Sequence, residues 1–391
     1  MPTVGGRLLR APERSPVERF IPVAAPALVG NEKAYVLDCL ESTWISSKGD
    51  YIERFEAAFA EFCGAPYAVS CCTGTAALHL ALLVFGVGPG DEVIIPTLTY
   101  VATANAITYC GARPVFVDSE PHTWNLDPGL IEGTVTPRTK GIVVVHLYGH
   151  PVDMDPILHT ARRHGLCVIE DAAQAHGAVY KGRRVGSLGD MATFSFYGSK
   201  ILTTGQGGMV VTNDEQLAER VRQLRSQGMD MDRRYWFPVV GYNYHMTNIA
   251  AAIGLAQLER VDWHLARRRH IAQQYAHRLA NVRGVSFQAQ RPWARSAHWL
   301  NGVVLNEELA LSRDAIIAEL AGFGIETRPF FCPMHQLPIY QEPDSQPCYP
   351  VAERLGAQGI SLPSSATLSD EDVAFVCQQV IRALGQSTGD R

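Results

Sequence analysis

Ala192-Thr193-Phe194-Ser195-Phe196-Tyr197-Gly198-Ser199-Lys200-Ile201-Leu202-Thr203-Thr204-Gly205-Gln206-Gly207-Gly208 is the most informative run in this chain of 391 residues. Its first five residues are small or apolar and end at a Tyr-Gly-Ser turn, the pattern of a short strand buried on both faces. A glycine-rich turn follows, and a second apolar run begins at Gly208. The lysine therefore stands just past a strand end. The chain carries 34 lysines and arginines together, of which five are lysines, and the other four sit among polar or loop-like neighbours. An amine desolvated at a strand end has a lowered pKa and can attack a carbonyl. Taken alone, the same run also describes a surface lysine in a turn.

Working outward, apolar runs of the same kind recur at 67–71, 92–95, 114–117, 141–146, 166–170, 192–196 and 208–212, each bounded by Gly, Pro or Asp. Stretches with helical spacing lie between them at 75–85, 156–164 and 215–226, of a length that crosses from one parallel strand to the next. This rhythm predicts an α/β layer structure with a mostly parallel central sheet. Beyond it, 247–279 reads as a long helical segment, straight or bent, then 299–305 as a strand, 313–323 as a helix and 370–384 as a final helix. The expected organisation is an N-terminal extension over 1–27, a large domain over 28–262 and a smaller C-terminal α/β domain over 263–391. Residues 329–350 form a long Pro-rich connection, a kind of segment that commonly serves a site.

Hydrophobic residues make up 47% of the chain and charged residues 19%, ordinary values for a globular protein. No run of about 20 apolar residues is present, so no membrane partner is expected. The net charge is -5 with scattered basic residues, which argues against a nucleic-acid partner. Nine cysteines without C-x-x-C spacing indicate neither a disulfide framework nor a metal site, and fit a cytoplasmic location.

Three further motifs accompany the lysine. Glu170-Asp171-Ala172-Ala173-Gln174 ends an apolar strand in two acids, of which alternation turns one toward the site; a carboxylate there suits a pyridinium nitrogen, or caps the next helix. Thr73-Gly74-Thr75-Ala76-Ala77 opens a helix directly after a strand, a place that binds phosphate or simply packs tightly. Tyr100 follows another strand, where its ring can stack on a cofactor or belong to the core.

Together, Thr73-Gly74-Thr75-Ala76-Ala77-Leu78, Glu170-Asp171-Ala172-Ala173-Gln174, the lysine run and Gly205-Gln206-Gly207-Gly208 resemble the DegT/DnrJ/EryC1/StrS family of sugar aminotransferases, in order and in spacing. The resemblance spans the chain from about residue 20 onward. It implies a fold-type I aminotransferase that uses pyridoxal 5'-phosphate, with pyridoxamine 5'-phosphate as the intermediate carrier, and that works as a homodimer with shared active sites. Carried over by position, Lys200 and Asp171 are catalytic. Gly74, Thr75, Ala76, Tyr100, Gln174 and Ser195 bind the cofactor, and Asn243 does so from the partner subunit's site-spanning loop. His245 stands where many relatives have arginine.

Outside the cofactor motifs, Thr43-Trp44-Ile45-Ser46-Ser47-Lys48-Gly49, His146-Leu147-Tyr148-Gly149-His150, Arg233-Arg234-Tyr235-Trp236-Phe237-Pro238 and Pro333-Met334-His335 are most similar to one branch of the family. That branch aminates GDP-4-keto-6-deoxy-D-mannose to GDP-perosamine with L-glutamate. The resemblance thus implies that Trp44, Ser46, Tyr148, Arg234, His245 and His335 contact the nucleotide-linked keto sugar or the donor. Residues 233–237 also read as a charged surface turn with an aromatic anchor. A dTDP- or UDP-linked keto sugar, a keto cyclitol, or an idle cofactor-binding regulator are the alternatives, and the intact Lys200 speaks against the last.

Overall fold

Alternating apolar strands and crossover helices build a seven-stranded sheet in the computed structural model, which describes residues 19–306, 311–341 and 348–385. In spatial order the strands are Tyr67–Cys71, Gly208–Thr212, Met191–Ser195, Cys167–Asp171, Thr139–Val145, Glu92–Pro96 and Arg113–Val117. Neighbours pair in parallel, except that Gly208–Thr212 runs antiparallel to both of its own. A mostly parallel sheet must be covered on both faces, and strand alternation divides its side chains between two cores. Ile94, Val168, Ala192 and Val211 enter one core with Phe55 and Phe59. Val93, Ile95, Ile169 and Val210 enter the other with Leu78 and Leu82.

The helix that supplies Phe55 and Phe59, Asp50–Cys63, is absent from the sequence expectations. Its buried Tyr51, Phe55, Phe59 and Phe62 nevertheless fall on one helical stripe. The long helix expected over 247–279 is two helices, Asn248–Glu259 and Val261–Arg278, parted at Arg260 with φ -110° and ψ 12°. Neither proline nor glycine marks that break, which is why periodicity alone reads through it.

A second, four-stranded antiparallel sheet has the order Val285–Phe287, Asn301–Leu305, Gly359–Leu362, Arg328–Pro329. It packs with helices Arg313–Gly322 and Asp370–Ala383 around Ile271, Tyr275 and Val303. The last helix opens on a reciprocal Ser369–Asp372 capping box. Of the segment 1–27, residues 1–18 lie outside the described residues, as do 342–347 of the Pro-rich connection. The described remainder of that segment packs closely: Ile21 is buried in this second core and its N–H donates to the Gly324 carbonyl at 2.8 Å. Among the described residues no helix is long and apolar enough to cross a membrane.

Candidate active site

The carboxyl ends of the parallel strands meet in one cavity of about 540 Å³, whose wall includes Gly74, Thr75, Tyr100, Asp171, Gln174, Ser195 and Lys200. Open α/β sheets place ligands at these strand ends. Residues far apart in the chain thus converge. Three sequence motifs reach this point by separate crossovers.

Thr73 caps helix Gly74–Val84, its Oγ1 accepting from the Ala76 N–H at 3.0 Å. Gly74 and Thr75, whose amides have no partner within their own helix, lie on the cavity wall, where such amides and the helix dipole favour an anion. Gly74 is required by contact: a Cβ there would stand 2.6 Å from Ser195 Cβ. The glycine lets the phosphate-binding helix start lie directly on the end of the Met191–Ser195 strand.

Lys200 leaves that strand through a turn closed by its own N–H to the Tyr197 carbonyl at 2.9 Å, and by Phe196 N–H to Gly207 O at 2.9 Å. Gly205 takes φ +79°, a conformation that favours glycine. Desolvation lowers the Lys200 ammonium to a pKa of about 8, although the Asp171 charge works in the opposite direction. The Lys200 Nζ lies 3.9 Å from the centre of the Trp299 ring, and Trp299 Nε1 is fixed by a 2.7 Å hydrogen bond to Ser199 O.

The two acids of the 170–171 pair diverge as strand alternation requires. Glu170 turns away from the cavity and accepts hydrogen bonds from His146 Nε2 at 3.0 Å and from the amides of Gly186, Leu188 and Gly189. Burial alone would raise its pKa, but these donors, His146 foremost, hold it below the usual carboxylate range. Asp171 turns into the cavity. Burial raises its pKa, against a 2.8 Å hydrogen bond from Thr103 Oγ1 and a 3.2 Å bond from the Ala173 N–H. Gln174 Oε1 accepts from the Tyr148 N–H at 2.8 Å, which leaves its amide group to face the cavity.

Thr103, Trp299 and Arg328 also line the cavity and were not singled out from sequence. Thr103 follows Tyr100 by one helical turn, with its N–H donating to the Tyr100 carbonyl at 3.2 Å, and that spacing was the available signal. Trp299 stands just before strand Asn301–Leu305 and Arg328 in the edge strand of the second sheet, and no local pattern reveals them.

The remaining candidates fall elsewhere. Tyr148 is 1% exposed, held between the rings of Phe331 and Trp299, and is not part of the cavity wall. His335 bonds Thr97 Oγ1 at 2.7 Å and Glu353 at 3.2 Å, again outside the wall. Arg234 lies on the surface against its neighbour Tyr235. Asn243 is exposed and pairs with Ser226. Trp44 and His245 line a different cavity of about 1000 Å³, together with Lys48, Arg222 and Arg225. Ser46 borders it, its carbonyl accepting from the Asn248 N–H at 2.6 Å. Alanine 76 is buried just inside the helix start.

Comparison with known proteins agrees with this geometry. Residues 26–381 match the DegT/DnrJ/EryC1/StrS aminotransferase family. The chain is 54% identical over 94% of its length to a GDP-perosamine synthase from Caulobacter vibrioides, covering 98% of that protein. It is 48% identical over 93% of its length to a GDP-perosamine synthase from Escherichia coli O157:H7, again covering 98%. Among solved structures, DesV of S. venezuelae, crystallised with a ketimine intermediate, superposes with a TM-score of 0.86 at 38% identity, covering 91% of this chain and 95% of the other.

Proposed function

Because the chain belongs to the DegT/DnrJ/EryC1/StrS aminotransferase family, we propose that it transfers the amino group of L-glutamate to GDP-4-keto-6-deoxy-D-mannose, giving GDP-perosamine, as a cytoplasmic homodimer. The observation that carries the reading is likeness, over nearly the full length, to GDP-perosamine synthases from different bacteria. The cavity supports it. A partly desolvated amine, a buried carboxylate and a helix start stand on one wall, the donor set that fits pyridoxal 5'-phosphate.

That cofactor, when bound, supplies a carbonyl for the lysine and an electron-poor ring that accepts charge from the substrate carbon. Asp171, held by Thr103, would keep a proton at the ring nitrogen. The Gly74 and Thr75 amides and the Ser195 hydroxyl would receive the phosphate, beside the buried Ala76 at the helix start. Tyr100 would stack on the ring and Gln174 would serve its phenolic oxygen. Lys200 would anchor the cofactor and act as the general base that moves a proton at the substrate carbon. Its lowered pKa makes that exchange accessible near neutral pH.

Purified protein with L-glutamate should aminate GDP-4-keto-6-deoxy-D-mannose with a specificity constant at least roughly tenfold above those for dTDP- or UDP-linked keto sugars, a ratio that a few pocket contacts can supply. Preference for a dTDP or UDP substrate, or for a free keto cyclitol, would replace the substrate and leave the aminotransferase chemistry standing.

A further inference from the structure

A further cavity, of about 400 Å³, is bounded by helix Val261–Arg278 and the strands Ala294–Arg295 and Asn301–Leu305. The helix lends it Arg269, Ala272, Gln273 and Ala276, which share one helical face, and the two alanines leave space between that face and the strands. Its border with the catalytic cavity is narrow. His298 lines this cavity and the next residue, Trp299, lines the other, with Lys200 Nζ 3.9 Å from its ring centre. The border segment is held by Ala297 N–H to Gly149 O at 2.9 Å and Trp299 N–H to Tyr148 O at 3.0 Å. His298 takes φ +50°, a left-handed conformation that is disfavoured for residues with a side chain and collects at ligand sites.

The charge of this cavity is one-sided. Among the described residues, Arg269 and Arg295 line it, no carboxylate does, and neither arginine forms an ion pair. By contrast Arg267 and Arg291, a few positions away in sequence, pair with Asp370 and Glu120. Arg269 Nε donates to a neutral acceptor, the Ser296 carbonyl, at 3.4 Å. Burial, and after it the charge of Arg295, lowers the pKa of Arg269, while Asp262 works the other way. Two guanidiniums that repel each other thus face a space without an anion. Burial, followed by the Arg269 charge, lowers His298 to about 4, so its ring is neutral and offers hydrogen bonds without adding charge.

We propose that this cavity is a binding site for a phosphate-bearing small molecule, with the phosphate bridging Arg269 and Arg295. A phosphate monoester carries a charge of about -1.5 to -2 near neutral pH and three acceptor oxygens, which matches two forked guanidiniums. A single carboxylate would leave one arginine uncompensated. Gln273 and Gln290, on the same wall, can both donate to and accept from an uncharged remainder of the ligand. The cavity has the size of a small-molecule site and room for more than the phosphate itself.

The probe is inorganic pyrophosphate, titrated calorimetrically into the cofactor-loaded protein. The parent should bind it saturably, and Arg269→Gln and Arg295→Gln should each raise its Kd roughly tenfold or more, the loss expected of a charge-assisted hydrogen-bonded contact. Both variants should keep the KM for the nucleotide keto sugar within about twofold of the parent value, because neither arginine lines the catalytic cavity. Without pyrophosphate the thermal midpoint of Arg295→Gln should equal or exceed that of the parent, since a like-charge repulsion is removed. With pyrophosphate the parent should gain more than the variant. Should Arg269→Gln fail to fold, the exposed Arg295 carries the test alone. An unchanged Kd in the variants, no saturable binding to the parent, or a parallel rise in the sugar KM overturns the assignment. A lower midpoint for ligand-free Arg295→Gln overturns it too, because it would make the arginine a structural one.

Discussion

At residue scale the central feature is an amine whose surroundings lower its pKa to about 8, against an ordinary value of about 10.4 for lysine. Desolvation disfavours the ammonium form, and the nearby Asp171 charge restores only part of the loss. Only the neutral amine attacks a carbonyl. The rate at which cofactor-free protein captures pyridoxal 5'-phosphate covalently should therefore rise about tenfold per pH unit below pH 8 and level off above it, as followed by absorbance. A profile that keeps rising to about pH 10 would show that the site leaves the lysine unperturbed. Lys200 and Asp171 could be found from sequence because each is chemically conspicuous: a rare lysine in a glycine turn, and an acid pair at a strand end. Thr103 offers only its one-turn spacing from Tyr100, and Trp299 and Arg328 offer no local pattern: they come to the cavity from the other sheet and the segment just before it, and a Trp or Arg considered alone has many ordinary places to be.

At the scale of elements, the strands were readable because parallel strands buried on both faces leave nearly continuous apolar runs between turn residues. Helix Asp50–Cys63 carries an equally clear stripe, whereas the break at Arg260 carries no local marker. The element most exposed to a single change is the start of helix Gly74–Val84. A methyl group at position 74 would come within 2.6 Å of Ser195 Cβ, closer than side chains approach, and both residues belong to the proposed phosphate cradle. Gly74→Ala should push the helix start off the strand end and raise the Kd for pyridoxal 5'-phosphate by about tenfold or more, with a much smaller effect on the thermal midpoint. The conformation is not the obstacle, because Gly74 is already helical; the space is. Fluorescence titration of cofactor-free protein measures the change, and an unaltered Kd would place the phosphate away from this helix start.

At the scale of the whole molecule, part of the cofactor site proposed from sequence is missing from the cavity of a single chain. Asn243 is exposed and is not part of the cavity wall, on a loop whose neighbours Tyr242 and Tyr244 bond back to Leu224 and Arg225. The segment leading into that loop carries exposed apolar groups, with Tyr235 72% exposed and Val240 86% exposed. Clustered exposed apolar groups mark an interaction surface. A symmetric dimer, the commonest closed assembly, would cover such a surface and bring the loop of each chain to the other's cavity. This arrangement predicts complementation between two defective chains. Lys200→Ala removes the anchor from its own site, and Asn243→Ala impairs the site across the interface. Each parent dimer should therefore be nearly inactive at limiting cofactor. In a purified hybrid dimer, the subunit that retains Lys200 meets the partner's Asn243 intact, so one site of the pair is complete. Its activity should approach about half that of the unmodified dimer, as two-fold symmetry requires. A hybrid no more active than the mean of its parents would mean that each site is built from one chain alone.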